Sequence, residues 1–527
     1  MNIDPVSLSI IQKALENIAE EMGIVLQRSS FSANCKERLD FSCCIYLSTG
    51  EMIAQAEHIP VHLGAMFSAA HEILEEFSIE EFQRGDIIIY NSPYRGGTHL
   101  PDVTFFMPVY FKDRIIFFVA NRAHHADIGG ATPGSMPGVS HELFEEGLII
   151  PPLKLYERGK ENESVFKLIL GNVRVPNERI GDFRAQRAAL LRGKNRLEEL
   201  TTLYGWKSLN AACEELLNLS EKAFNEQIAK IQIGNEPISF EDFLDSNGIT
   251  ETPIRIRVSI SKSGEKLYVS FQGTDAQQEG NVNAPKSVTY SCVFYVFRSL
   301  TDPSIMTNAG FFRNLVIQIP SGSLLDPKFP AAVSSGNVET SQRVVDVLLG
   351  ALAKIQGKIP AASQGTMNNI SIGGKRPDGS PFAYYETLGG GTGAASLVSG
   401  ESGIHSHMTN TRNTPIESLE MIFPLRVLSY GFRDGSGGAG KTCGGMGIIR
   451  EILCLTDCIV SLQTERRKFA PYGLHGGERG KNGVNIKRTI DGQEIVLPGR
   501  ATLNFNAGET LIIKTPGGGG YGPPNNE

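Results

Sequence analysis

The chain has 527 residues, 41% apolar and 20% charged, with a net charge of −7. That length exceeds what one hydrophobic core ordinarily serves, so two or three domains are expected. The acidic balance excludes a general nucleic-acid binder, which needs a strongly basic face.

Met1-Asn2-Ile3-Asp4-Pro5 lacks the basic and apolar regions of a signal peptide. No apolar run reaches the roughly 18 residues that a spanning helix needs. The best, around 288–300, is interrupted by Ser291 and Arg298. Neither the adjacent Cys43-Cys44 nor Cys454/Cys458 has CxxC spacing, and all eight cysteines read as reduced thiols that are structural or incidental. The expected location is the cytoplasm, with no membrane contact.

Asp4-Pro5 reads as an N-cap with proline at the first helical position. Leu8, Ile11, Leu15, Ile18, Met22 and Val25 then recur at helical spacing, predicting a helix to about residue 27. A strand follows at 41–47, a helix at 61–77 and a buried strand at 86–90. Residues 103–121 read as a β-hairpin turning at Lys112-Asp113. Two long helices are expected at 182–203 and 209–231. Strict alternation at 254–260 and 266–271, around Lys262-Ser263-Gly264, predicts a half-buried antiparallel hairpin. Helices return at 285–300 and 340–355. Beyond about 357 the chain is glycine-rich, as close backbone approaches in a mixed β region require; 523–527 reads as a frayed tail. The expected class is α+β, a multi-domain mixed α/β protein with largely antiparallel or mixed sheets. Its segments are 1–231 with the candidate site, 232–355 with hairpin and helices, and 356–527 rich in β structure.

Seven of the ten histidines fall between His58 and His141, interleaved with carboxylates. The densest stretches are Thr98-His99-Leu100-Pro101-Asp102 and His124-His125-Ala126-Asp127. Imidazole and carboxylate together suit a divalent ion such as Zn²⁺, Fe²⁺ or Mn²⁺. A hairpin joins its two ends, so His99 and Asp102 should meet His124 and His125 although about 25 residues separate them. The i, i+3 spacing of His99 and Asp102 around Pro101 permits convergence on one ion. His58 and His62 differ by four, but Pro60 between them argues against a shared helical face, and either could line a pocket. His141 with Glu142 and Glu145 could close a pocket or begin a solvated helix; His71 reads as structural. His405, His407 and Arg412 form a polar segment that could meet substrate or partner.

Gly435-Ser436-Gly437-Gly438-Ala439-Gly440-Lys441-Thr442 matches the phosphate-loop string GxxxxGKT letter for letter. The mechanism behind that string needs a helix directly after it, with its N-terminus facing the phosphates. Here Cys443-Gly444-Gly445-Met446-Gly447 and a β-branched run follow instead. The string is read as a glycine-rich turn between strands, and ATP binding by this chain is not expected.

Together these segments resemble the hydantoinase B family, which includes N-methylhydantoinase beta chains, the C-terminal half of 5-oxoprolinase, caprolactamase beta subunits and acetone carboxylase alpha chains. The matching residues run from Glu37-Arg38-Leu39-Asp40-Phe41-Ser42 through His58-Ile59-Pro60-Val61-His62, the histidine clusters and Asn337-Val338-Glu339-Thr340-Ser341-Gln342-Arg343. They continue at Glu465-Arg466-Arg467 and Thr515-Pro516-Gly517. The resemblance implies a hydrolase of cyclic amides working in two stages. A hydantoinase A-type ATPase subunit phosphorylates the ring oxygen, and the B subunit completes the reaction at a metal centre, in a hetero-oligomer such as a heterotetramer. It implies Asp40, His99, Asp102 and His124 as metal ligands; for Asp40 the sequence alone offers capping of the next strand as readily. His125 and Asp127 are expected to serve proton transfer or to orient a ligand, although His125 could equally be packed. The other readings are a carboxylase subunit using the same site, a non-catalytic partner of the ATPase, and a stand-alone NTPase built on Lys441.

Overall fold

The computed structural model describes residues 3–524 except 57 and 235; the end of the expected tail, 525–527, lies outside them. Asp4 caps α1 (Pro5–Ser29), its carboxylate accepting from the Val6 and Ser7 N–H groups at 3.1 and 3.0 Å. After the single turn α2 (Ala33–Lys36) come β1 (Phe41–Leu47), β2 (Met52–Ala56) and α3 (Pro60–Glu76). The chain continues through β3 (Ile87–Tyr90), β4 (Asp102–Phe111), β5 (Arg114–His124), β6 (Leu153–Glu157) and β7 (Lys160–Glu161). These strands form one antiparallel seven-stranded sheet in the order β2-β1-β5-β4-β3-β6-β7. The hairpin expected between the two histidine clusters is β4–β5, with Lys112 in its turn at φ 53°. Helices α4 (Glu163–Leu170), α5 (Pro176–Tyr204) and α6 (Trp206–Lys230) follow.

Both faces of this sheet are covered, so its strands are apolar on both sides. Cys43, Ile45, Phe105, Met107 and Val119 pack with α1 and α5. The intervening Cys44, Tyr46, Phe106, Phe118 and Ala120 pack with α3. The Ile, Val, Met and Phe side chains among them each contribute roughly 1.5–3 kcal/mol on burial. A one-residue slip would exchange the two sets, so register is tightly specified.

The middle of the chain builds β8 (Ile238–Leu244), β9 (Ile254–Ser263), β10 (Lys266–Ser270), α7 (Lys286–Ser299), β11 (Leu315–Gln318) and α8 (Ser341–Leu352). The order is β11-β10-β9-β8, with β10 and β11 parallel. A five-residue π-turn, Gly336–Thr340, leads into α8. This core also takes Ile59, Val61 and Leu63 from before and within α3, and Phe224 and Ile228 from α6.

The glycine-rich remainder contains β12 (Asn369–Lys375), β13 (Pro381–Glu386), α9 (Ile416–Ile422), β14 (Leu425–Phe432), β15 (Ile448–Cys454) and β16 (Cys458–Gln463). Then come β17 (Val484–Arg488), β18 (Glu494–Leu497), β19 (Arg500–Phe505) and β20 (Thr510–Lys514). They make two antiparallel sheets, β13-β12-β16-β19 and β14-β15-β20-β17-β18. The class is mixed α/β with largely antiparallel sheets, as the sequence patterning predicts. The phosphate-loop string lies between β14 and β15, and the next element after it is a strand. Its glycines admit close backbone approach: a Cβ on Gly438 would stand 2.8 Å from the Gly520 nitrogen. Among the described residues no helix is long and apolar enough to cross a membrane.

Candidate metal centre

Strand parity decides which side chains meet at the end of the seven-stranded sheet. Asp102 opens β4 and His124 closes β5, directly opposite each other in the register. Both share the α3-facing parity of Phe106 and Ala120. Beside them, the Asp40 carbonyl just before β1 accepts the His124 N–H at 2.9 Å. His99 folds back through a turn in which its carbonyl accepts the Asp102 N–H at 3.1 Å. Pro60 starts α3, and His62 occupies the first turn of that helix above the sheet end.

Three imidazoles converge on one carboxylate. Asp102 Oδ2 stands 3.0 Å from His99 Nδ1 and 3.3 Å from His62 Nε2; Asp102 Oδ1 stands 3.4 Å from His124 Nδ1. The Thr98 hydroxyl also donates to Asp102. Ser42 bonds the far nitrogen of His62 at 3.0 Å. His99, Asp102 and His124 are at most 2% exposed. Burial alone would raise the Asp102 carboxyl, but His99, His62 and His124 outweigh it and hold it well below the usual carboxylate range. Burial lowers the His124 imidazole despite the nearby Asp102 and Asp40. A neutral His124 protonated on Nδ1 presents Nε2 as a lone pair.

These residues fit a divalent ion. One ligand atom from each of His99, Asp102 and His124 falls within 4.8 Å of the others. Buried Asp102 Oδ1 and His124 Nε2 have no hydrogen-bond partner among the described residues, an arrangement that is costly unless something binds them. The enclosing cavity is about 20 Å³, the room of a single small guest.

Distant segments complete the wall. Asn337, in the π-turn, places its Nδ2 3.2 Å from His99 Nδ1. Tyr385 of β13 stacks on His124 with ring centroids 4.4 Å apart and planes 15° apart. Its hydroxyl donates to Asn369 Oδ1 at 2.6 Å, and Asn369 donates onward to Glu339 Oε1 at 2.8 Å. Burial pushes the Glu339 carboxyl up to about 8. Arg38 ties the sheet end to β13, donating to the Tyr385 carbonyl and to Thr387, each at 3.0 Å.

Asp40 lines the same cavity without joining the three converging groups, and its carboxylate lies 3.7 Å from Arg38. His125 and Asp127 are not brought to the cluster. His125 has the opposite parity and points toward α5, bonding Gln186 at 3.0 Å and packing on Phe183, with burial lowering its pKa to about 3. The Asp127 carboxylate accepts from the Gly129, Gly134 and Arg174 N–H groups and pairs with the Arg174 guanidinium at 2.9 Å, which organises a loop. His58 turns away onto Phe41, while His71 is exposed on α3. His141, Glu142 and Glu145 form an exposed cap around a short 3₁₀ turn. Sequence reasoning assigned no role to Asn337 and Tyr385: the family-like run 337–343 contained a signal for the first, and nothing local marked the second.

Two clefts flank the small cavity. Ile59 lines both the cavity and a cleft of about 280 Å³ whose wall is largely apolar, from Leu63, Pro60 and Tyr295, with Ser42 at its edge. Thr411 lines both the cavity and a polar cleft of about 690 Å³.

The Hydantoinase B/oxoprolinase family model matches residues 4–524. An uncharacterized protein of Methanocaldococcus jannaschii, MJ0963, is 43% identical over 99% of this chain and 91% of its own length. The 5-oxoprolinase 1 of Arabidopsis thaliana is 40% identical over 98% of this chain, which spans only 42% of that longer protein. The crystal structure of an ATP-dependent caprolactamase from Pseudomonas jessenii superposes with a TM-score of 0.90 at 26% identity, covering 99% of this chain and 92% of that one.

Proposed function

The chain belongs to the hydantoinase B/oxoprolinase family, and from that premise we propose that it is the metal-dependent hydrolytic subunit of an ATP-dependent cyclic amidase. The substrate is a lactam or hydantoin ring whose oxygen a separate ATPase subunit of hydantoinase A type has phosphorylated, and the complex works in the cytoplasm. The observation that carries the reading is the buried His99, Asp102 and His124 triad with two unpartnered ligand atoms. The 5-oxoprolinase relative supports the division of labour, because more than half of its length lies beyond the matched part.

His99, Asp102 and His124 would hold the ion, with Asp40 beside them and His62 fixing Asp102. When bound, such an ion supplies Lewis-acid chemistry and makes water acidic enough to yield hydroxide near neutral pH. The chain itself orients the reacting ring carbon. The apolar cleft behind Ile59 takes the carbon skeleton, and the enclosed cavity excludes bulk water. Water adds to the ring carbon, the carbon–nitrogen bond breaks as the nitrogen takes a proton, and an acyl phosphate remains. A second water converts that product to carboxylate and inorganic phosphate. The ATP chemistry belongs to the partner, since the glycine-rich string before β15 has no helix to face phosphates.

Reconstitution with the ATPase subunit tests the reading. The expected result is ring opening of 5-oxoproline, hydantoin or caprolactam that needs ATP but not bicarbonate, and that Asp102→Asn abolishes together with bound metal. ATP turnover that depends on bicarbonate would move the chain to the carboxylases. Complex formation without turnover on any ring would leave it a non-catalytic partner.

A further inference from the structure

The polar cleft on the Thr411 side of the cluster has a composition at odds with the molecule around it. In a chain of net charge −7, none of the residues lining this cleft is acidic, and they include His58, His405 and Arg412. The exposed Arg412 guanidinium has no hydrogen bond or ion pair among the described residues, although its backbone N–H is pinned to the Arg38 carbonyl at 3.0 Å. Among the described residues neither ring nitrogen of His405 makes a well-formed hydrogen bond, although the Asn413 side chain stands beside the ring, and both nitrogens are shielded from solvent. Burial lowers that imidazole to about 4, so it stands neutral and offers one N–H donor at physiological pH. Glu20 of α1 stands 3.7 Å from His58, and His405 feels Arg38 as well as Glu386 of β13 and Asp40. The cleft also adjoins the cluster directly: Thr411 lines both spaces, and Leu39, at φ 57°, precedes Asp40.

A phosphorylated ring arrives as an anion and leaves inorganic phosphate behind, so a hydrolytic site of the kind described above needs somewhere to hold a tetrahedral oxyanion. We propose that this cleft is that place, with Arg412 as its cation and His405 as a neutral donor. The assignment rests on the hydrolytic reading for its substrate but not for its test. A guanidinium free of carboxylate partners can meet phosphate oxygens in a bidentate geometry. Arg412 is exposed and the cluster buried, with Thr411 lining both spaces, so a phosphoryl group held by Arg412 would face solvent while the ring carbon faces the cluster.

Titration of inorganic phosphate into the full chain, followed by ³¹P NMR or calorimetry, tests this beside the variants Arg412→Gln and Lys441→Gln. Arg412 is exposed, so the fold is not at stake. Arg412→Gln should weaken phosphate binding by about tenfold to a hundredfold, with metal content unchanged. Lys441→Gln, an exposed cation in the glycine-rich string, should leave binding as in the parent. Equal binding by the parent and Arg412→Gln, absence of binding by both, or an equal loss in Lys441→Gln would overturn the assignment. The titration needs neither turnover nor partner, so its failure is separable from a failure of ring opening in the reconstituted complex.

Discussion

His62 shows how one residue acts through another. Its Nε2 faces Asp102 at 3.3 Å while Ser42 holds its opposite nitrogen, so it orients a carboxylate and keeps neither nitrogen free. Removing such an outer partner ordinarily costs 10–100-fold in metal affinity. His62→Ala is accordingly expected to bind metal about 10–100-fold more weakly in a competition titration with a chelator; an unchanged affinity would assign the positioning of Asp102 to Thr98 alone. Glu339 carries a pH signature. Its carboxyl is raised by burial to about 8, so between its ordinary value and pH 8 the folded state keeps a proton that the unfolded chain releases. Stability from this group is therefore lost as pH rises across that window, at roughly 1.4 kcal/mol per unit. Glu339→Gln keeps the acceptor for Asn369 and removes the titration. Its melting temperature should gain on the parent steadily from pH 5 to pH 8, whereas a difference independent of pH would show that Glu339 is ionised throughout. At this scale the sequence was partly legible. His99, Asp102 and His124 could be read because a hairpin must join its ends. The assignment of His125 beside His124 overlooked alternation: neighbours on an extended strand face opposite ways, and His125 looks to α5.

Among the elements, the π-turn Gly336–Thr340 sets the third dimension of the site. It brings Asn337 to His99 across 238 residues of chain and Glu339 to Asn369 across 30. Such turns recur at functional positions because the extra residue re-aims side chains that a regular helix would direct elsewhere. Gly336 is required there, since a Cβ would press into the Asn283 backbone and stand 2.8 Å from the Ala284 nitrogen. Gly336→Ala is expected to destabilise the fold by about 1–3 kcal/mol, with metal binding weakened in the folded fraction; thermal melts and metal analysis together check it. Unaltered melting would mean that the turn relaxes without strain. Helical and strand periodicities made α1, α3, α5, α6 and the β4–β5 and β9–β10 hairpins legible in advance. The π-turn was not, because its geometry answers to packing against the 281–284 segment and leaves no periodic trace.

Across the whole molecule, segments far apart in sequence are locked by buried charge. Glu465, after β16, meets Arg500 of β19 at 2.7 Å and Arg343 of α8 at 3.3 Å, and accepts the Asp245 N–H at 2.9 Å. Removing one member of such a network strands the others, which costs about 3–5 kcal/mol. Glu465→Ala should lower the unfolding free energy from denaturant titration by that much, and a loss below about 1 kcal/mol would show the arginines to be resolvated. The same interlocking explains why the partners of the candidate ligands escaped a linear reading: Tyr385 and Asn337 reach the site through the union of all three segments. The central claim is that His99, Asp102 and His124 hold a divalent ion on which ring opening depends. Elemental analysis joined to a ring-opening assay of the reconstituted complex, on the parent and on His99→Ala, tests it most directly. The parent should carry a stoichiometric divalent ion, and His99→Ala should lose it together with turnover while the complex still assembles. Turnover at the parent rate from a metal-free His99→Ala complex would contradict the claim.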